Sequence, residues 1–280
     1  MPQTKLSIVI PCFNQGLYLK ENLECLSKFN CKNIEIIIIN DGSTDPITNQ
    51  IIGALDTGKY RIINQENKGL AEARNAGIIL SEGNYILPLD ADNMITEAYI
   101  TKSIAIFESD ENIAVIYGNA EIFGSKKGAL IPGEFNLQRL MWVNFIDACA
   151  VIRKSVLIKV GMYDKMPVMG FEDWDLWLRI AFEGHRFHYV NETLFRYRFN
   201  ERSMMRDLKK DIERRHVIED YLSEKYKGQL DFQYISNYFN FYLKKKPIFI
   251  ISRLLLKKYF PNFYNNLILQ NKFYKGHIYD

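Results

Sequence analysis

In YILPLDADNM, residues 85–94, an apolar segment runs into two carboxylates, Asp90 and Asp92, with one residue between them. Neighbouring acids repel, and an unpaired buried charge is costly, so a positive group belongs beside them. A hard divalent cation, Mg2+ or Mn2+, takes carboxylate oxygens and keeps positions open for the phosphates of a nucleotide. A polar turn with Asp92 or Asn93 capping the next helix would show the same D-x-D spacing. Its position after a buried strand favours chemistry.

Two more acidic clusters strengthen that reading. Asp41 follows directly on the apolar run IEIIIIN, where a carboxylate can accept hydrogen bonds from a base or a ribose. Gly42 permits a tight turn, and Ser43, Thr44 or Asp45 can cap the helix beyond it. A turn explains Gly42 and Asp45 but gives no reason for an acid at 41. In GFEDWDLWLRI, Glu172 and Asp173 fall near a helix start, where the peptide dipoles favour an ionised carboxylate. A general base must be ionised to take a proton. Asp175 suits a structural role in the first turn. Trp174 and Trp177, three apart, share one helix face and suit a core, and His185 and His188 fall in a strand-like run.

Alternating strands and helices must position these groups. LSIVIP, IEIIIIND, YRIINQ and YILPLD read as buried strands, separated by helical patterns in LYLKENLECLSKF, PITNQIIGAL and GLAEARNAGIILSEG. Asp45 as cap and Pro46 at the first helical position mark one helix start. Fully apolar strands between helices imply a parallel sheet covered on both faces. Such sheets bind ligands beyond the carboxyl ends of the strands. PCFNQG, NDGSTD and DADN should therefore meet at one edge, within reach of Gly69 and Arg74. Beyond residue 95 a helix capped by Thr96 is expected. Strands follow at IAVIYG, AEIFG and DACAVIRK, then a helix over FEDWDLWLRIAFEG and a strand at HRFHYV.

Taken in order, SIVIPCFNQGLYLKENLECL, EIIIINDGSTD, NKGLAEARNAGI, GNYILPLDADN and GFEDWDLWLR resemble glycosyltransferase family 2. The resemblance spans residues 5–200 and implies the GT-A fold: α/β, with a Rossmann-like, mostly parallel central sheet flanked by helices. It also implies an inverting transfer from a nucleotide-sugar, usually a UDP-sugar, to a glycan or lipid-linked hydroxyl, as in bacterial surface polysaccharide synthesis. Pro11, Phe13 and Asp41 match positions that hold the base, and Arg74 matches the basic position beside the nucleotide. Asp90 and Asp92 match the D-x-D that holds ribose and metal (Mn2+ or Mg2+), with Asp92 as direct ligand. Asp173 matches the base that deprotonates the acceptor, and Glu172 its neighbour. One departure stands out. Where many members carry a metal- or diphosphate-contacting histidine after this helix, YRFNERS has Asn200, a weaker ligand through its amide oxygen. Arg198 and Arg202 are candidate phosphate contacts there.

Other classes fit less well. A dinucleotide-binding dehydrogenase needs G-x-G-x-x-G after its first strand, and PCFNQG has one glycine. A nucleotidyltransferase is expected to open on a Gly-rich basic loop, which is missing. A non-catalytic nucleotide-binding protein has no need of Asp173 and both D-x-D acids. The net charge of +3 gives no argument for nucleic acid. Cys12, Cys25, Cys31 and Cys149 have no metal-ligand spacing and read as free thiols in a reducing compartment. The apolar stretch Leu6–Ile10 is too short for a signal segment, and no window reaches the roughly 18 apolar residues of a spanning helix. A cytoplasmic protein is expected, with a catalytic domain over 1–205 and a helical, basic and aromatic region over 206–280. Residues 221–280 carry ten basic and three acidic side chains. Such a segment suits the anionic inner face of a membrane, a homo-oligomer contact, or packing on the catalytic domain.

Overall fold

A computed structural model describes residues 5–200, 212–229, 255 and 258–260. The first strands are β1 (Leu6–Cys12), β2 (Ile34–Asp41), β3 (Arg61–Gln65) and β4 (Tyr85–Pro88). All their pairings are parallel, in the order β3-β2-β1-β4. Between them run α1 (Gly16–Leu26), α2 (Pro46–Gly53) and α3 (Leu70–Leu80). Asp45 caps α2 as expected, its Oδ2 accepting from the Thr48 N–H at 2.8 Å. The continuous apolar runs are explained by burial on both faces. In β2, Ile36 and Ile38 join one core cluster while Ile37 and Ile39 join the other, the period of two that a pleated strand imposes.

The second half turns the sheet mixed. A two-residue β5 (Met94–Ile95) precedes α4 (Glu97–Ser109), whose cap Thr96 accepts from the Tyr99 N–H at 3.2 Å. The segments IAVIYG and AEIFG form one strand, β6 (Ile113–Gly124), because its partner is as long. That partner is β9 (Arg186–Phe199), which runs parallel to it with register shifts and continues well beyond HRFHYV. Between them lie β7 (Gly128–Leu130), α5 (Leu137–Trp142), β8 (Val151–Arg153), α6 (Lys154–Lys159) and α7 (Glu172–Phe182). β8 is antiparallel to both β4 and β6, and joins the parallel half to β6 and β9. The expected strand DACAVIRK shrinks to Val151–Arg153. The Asp147 carboxylate takes the Cys149 N–H, and the Ala150 N–H turns to the Ala148 carbonyl at 2.8 Å, so these donors leave the ladder.

A further helix, α8 (Ile212–Lys225), lies against α7. Ile218, Leu222 and Tyr226 are buried in the same cluster as Leu176, Trp177 and Ile180. Asp175, wholly inaccessible, anchors the contact: it accepts from Lys225 Nζ and the Tyr226 hydroxyl, each at 2.7 Å, and from Arg179 at 2.9 Å. So α8, within 206–280, packs on α7 and the core cluster around it. The basic, aromatic stretch from 230 on lies mostly outside the described residues.

Candidate active site

The strand-end clusters meet at one edge, and side chains tie them together. Asn14, in the left-handed region at φ 54°, follows β1 and accepts at Oδ1 from the backbone of Thr44 and Asp45 at 2.8 and 2.9 Å. Gly42 also has positive φ, and a Cβ there would come within 2.5 Å of the Asn67 nitrogen. Glycine is thus required where the ends of β2 and β3 converge. Asp41 is nearly inaccessible. Its Oδ1 accepts from Gln65 Nε2 at 2.7 Å and the Lys68 N–H at 2.9 Å, and its Oδ2 from the Gly69 N–H at 2.9 Å. It therefore clamps the loop leading into α3. Pro11 is buried in β1 opposite Ile39, and Phe13 stands exposed at the strand's end.

The ARNAG segment now has a physical reading for each residue. Arg74 is 2% exposed and donates to Asp90 Oδ1 at 2.7 Å. Its guanidinium lies over the Tyr163 ring at 5.2 Å. Asn75 exchanges two hydrogen bonds with the Tyr163 backbone, at 2.8 and 2.9 Å. A Cβ on Gly77 would meet a Val9 methyl at 2.3 Å, so only glycine lets α3 approach β1 this closely and bring Arg74 to the edge.

Asp92 is the second acid of the D-x-D. Burial, and then the charge of Asp90, push its carboxyl up to about 6. Asn200 Nδ2 donates to Asp92 Oδ2 at 3.2 Å, so the distant YRFN segment does reach the D-x-D. Arg198 binds the Asp92 carbonyl at 2.9 Å and Glu21 at 2.6 Å, and stacks over Tyr18 and Phe123. Arg202 lies outside the described residues. Among the described residues no three His, Cys, Asp or Glu side chains form a metal cage. The D-x-D carboxylates still fit a cation of the Mg2+ type, which binds through one or two protein carboxylates and leaves its other positions to water and phosphate.

α7 brings in the third cluster. Its first residue, Glu172, is buried and accepts from the Gly170 N–H at 2.9 Å, closing the strained entry turn in which Phe171 has φ 62°. Asp173 Oδ2 accepts from Asn144 Nδ2 at 3.0 Å, and its Oδ1 from the Trp174 N–H at 2.9 Å. Burial pushes the Asp173 carboxyl up to about 6, while the Asn144 hydrogen bond and the charge of Arg74 pull the other way. Trp177 is fully buried, as the helix-face reading expects.

The surroundings contain groups that motif reading missed. Asn144 is 3% exposed, and its Oδ1 has no partner. The Tyr163 hydroxyl is also buried and unpartnered. Asp147 lies close enough to Asp90, Asp173 and Arg74 to feel their charges. Burial, opposed by the Cys149 N–H and reinforced by those two acids, pushes its carboxyl up to about 7. The acidic character of Asp147 was visible in the sequence, but its segment read as a strand.

The model of glycosyl transferase family 2 matches residues 7–161. The chain belongs to that family. It is 29% identical over 223 residues to the glycosyltransferase GlyG of Streptococcus pneumoniae serotype 4, covering 72% of this chain and 73% of GlyG. It is likewise 29% identical over 224 residues to GlyA of the same organism, covering 72% of this chain but only 32% of GlyA. Among solved structures, residues 1–349 of S. aureus TarS superpose with a TM-score of 0.63 at 18% identity, covering 86% of this chain and 74% of TarS 1–349. A mannosyltransferase of Pyrobaculum calidifontis gives 0.57 at 14% identity, with 75% and 61% covered. These likenesses establish the GT-A fold. This family 2 glycosyltransferase thus carries an enzyme's scaffold, with its acids gathered on the carboxyl edge of the parallel strands.

Proposed function

We propose that the protein transfers a sugar from a nucleotide-diphosphate donor, a UDP-sugar, to a hydroxyl of a glycan or lipid-linked acceptor in bacterial surface polysaccharide synthesis, with inversion at the anomeric carbon. The observation that carries this reading is Asp173, held by Asn144 with its carboxyl raised to about 6, on the same edge as the Asp90–Arg74 pair and Asp92. A carboxylate of that basicity is ionised at neutral pH and still able to take a proton. Asp173 takes the acceptor's hydroxyl proton as that oxygen bonds to the anomeric carbon. The bond to the diphosphate breaks on the opposite side, and the nucleotide diphosphate leaves with the electron pair.

Asp90 and Asp92, with the Asn200 amide beside them, would hold Mn2+ or Mg2+. The cation would supply charge stabilisation for the departing diphosphate. Arg74 orients Asp90 through their 2.7 Å contact. Pro11, Phe13 and Asp41 border the base, with Asp41 acting both on the base and on the loop it clamps. TarS has been solved with UDP-GlcNAc and with UDP, and the mannosyltransferase with GDP-Man and Mn2+, which supports a nucleotide-sugar and a divalent cation here.

The test begins with a screen of nucleotide-sugars for binding and hydrolysis in the presence of Mn2+. Asp173→Asn keeps the shape and removes the proton acceptor. Its kcat should fall by roughly 10²–10⁴-fold, with donor affinity little changed. Wild-type turnover in that variant would move the base elsewhere.

A further inference from the structure

Asp164, Asp175, Arg179 and Lys225 form a charged cluster that takes no part in the transfer chemistry. Lys225, the last residue of α8, lies well beyond the stretch that the family model matches, residues 7–161. Its Nζ donates to Asp164 Oδ2 at 2.6 Å and to Asp175 Oδ1 at 2.7 Å. Asp164 belongs to the loop between α6 and α7, and Asp175 to the first turn of α7. Arg179 holds the same loop from α7: Nη2 donates to the Met162 carbonyl at 2.6 Å, and Nη1 to the Val160 carbonyl. That loop needs holding. Gly161 and Met162 both have positive φ, 87° and 62°, and a non-glycine residue stays in that region only where its surroundings fix it.

Both arms of the Lys225 bridge lead to the site. Next to Asp164, the Tyr163 backbone exchanges two hydrogen bonds with the Asn75 side chain, and the Tyr163 ring carries Arg74 at 5.2 Å. Arg74 in turn reaches Asp90 at 2.7 Å. Two residues before Asp175 stands Asp173, the proposed base. Asp90 belongs to the donor's diphosphate and Asp173 to the acceptor hydroxyl. One ammonium group thus ties together the supports of both ends of an in-line displacement, whose rate depends steeply on their spacing. Stability is a poor account of the outer arm. The Asp164 side chain is 43% exposed, and an ion pair open to water contributes little to folding. We propose that Lys225 is a positioning residue: by bridging Asp164 and Asp175 it sets the distance between the Tyr163 loop and α7, and so makes α8 part of the catalytic apparatus. This inference rests on the nucleotide-sugar reading above.

The test compares the wild type with Lys225→Met, Asp164→Asn, their double variant and Lys225→Arg. Hydrolysis of UDP-glucose, UDP-N-acetylglucosamine, UDP-galactose and GDP-mannose is followed with Mn2+ present, below the melting temperature of every variant. Affinity for UDP and GDP is measured by calorimetry, and amide hydrogen exchange over residues 161–164 and 172–175. Asp164→Asn leaves Asp175 with all its partners, so its melting temperature should barely move. Its kcat should nevertheless fall about 10- to 100-fold, while diphosphate affinity changes by less than about 2-fold. Lys225→Met should show the same loss of kcat together with a lower melting temperature. The double variant should turn over no more slowly than Lys225→Met, and Lys225→Arg should regain most of the turnover. Exchange at the Tyr163 amide, which is bonded to Asn75 Oδ1, should quicken in both single variants. Wild-type turnover in Asp164→Asn, or losses that simply add in the double variant, would overturn the assignment. So would diphosphate affinity falling in step with kcat, which would place Lys225 in donor binding. A wild type that binds neither diphosphate and hydrolyses none of the four donors would instead overturn the nucleotide-sugar reading, while unchanged exchange would overturn the bridge by itself.

Discussion

Asp173 is tuned by contacts that pull in opposite directions. Burial raises its carboxyl to about 6, and the hydrogen bond from Asn144 restrains the rise. Only the ionised form takes a proton, so kcat/KM should fall as pH drops through about 6, two units above an ordinary aspartate. Asn144→Ala removes a donor that favours the charged form. Its acid limb should therefore move to higher pH and its kcat should drop, while donor KM stays within about 2-fold. A pH–rate profile superposable on the wild type would reduce Asn144 to a packing residue. Asp92 answers to a different partner. Burial and Asp90 hold it at about 6. Asp92→Asn should abolish nearly all transfer and weaken nucleotide binding, and excess chelator should do the same to the wild type. Full turnover in chelator would count decisively against a metal.

Elements explain why the strand-end motifs look as they do. Asp41 was expected to read the base, and its carboxylate also closes the β3–α3 loop through Gln65, Lys68 and Gly69. Removing it strands two backbone N–H groups at the entry of the helix that carries Arg74. Asp41→Ala should therefore raise donor KM more than it lowers kcat. It should also cost about 1–3 kcal/mol of stability, seen as a melting temperature lower by several degrees. A lower melting point with unchanged donor affinity would leave Asp41 the loop clamp alone. On the other side of α7, Asp175 does for α8 what Asp41 does for α3, through Lys225 and Tyr226. This helix presents alternate acids to two destinations: Asp173 to the edge and Asp175 to the core.

At the scale of the molecule, the carboxyl edge of the sheet concentrates acid, while residues 221–280 concentrate base. Among the described residues no helix is long and apolar enough to cross a membrane. A lipid-linked acceptor would suit a protein that lies on an anionic surface through Lys244–Lys246 and the apolar residues that follow. Because Leu222 and Tyr226 belong to the core, the informative truncation falls after residue 229. The 280-residue chain should co-sediment with anionic vesicles, much less with neutral ones, and the truncated chain with neither. Equal, negligible sedimentation of the intact chain with both would exclude the membrane. A truncation that converts a dimer to a monomer would point to self-association.

Sequence alone determined the parallel half of the sheet and the identity of the acids at its edge. β-Branched runs such as IEIIIIN, caps such as Asp45 and Thr96, and punctuation such as Gly42 act over a few residues, so their physics is written locally. Tertiary structure decided what those acids touch. Arg74 meets Asp90 and Asn200 meets Asp92 because the ends of separate elements converge, and no spacing in the chain announces it. Asn144, Asp147 and Tyr163 were hidden for the same reason. Asn144 and Tyr163 are ordinary residues of irregular loops until folding removes them from water, and it is the cost of leaving a buried polar group unpartnered that then gives such a residue a role.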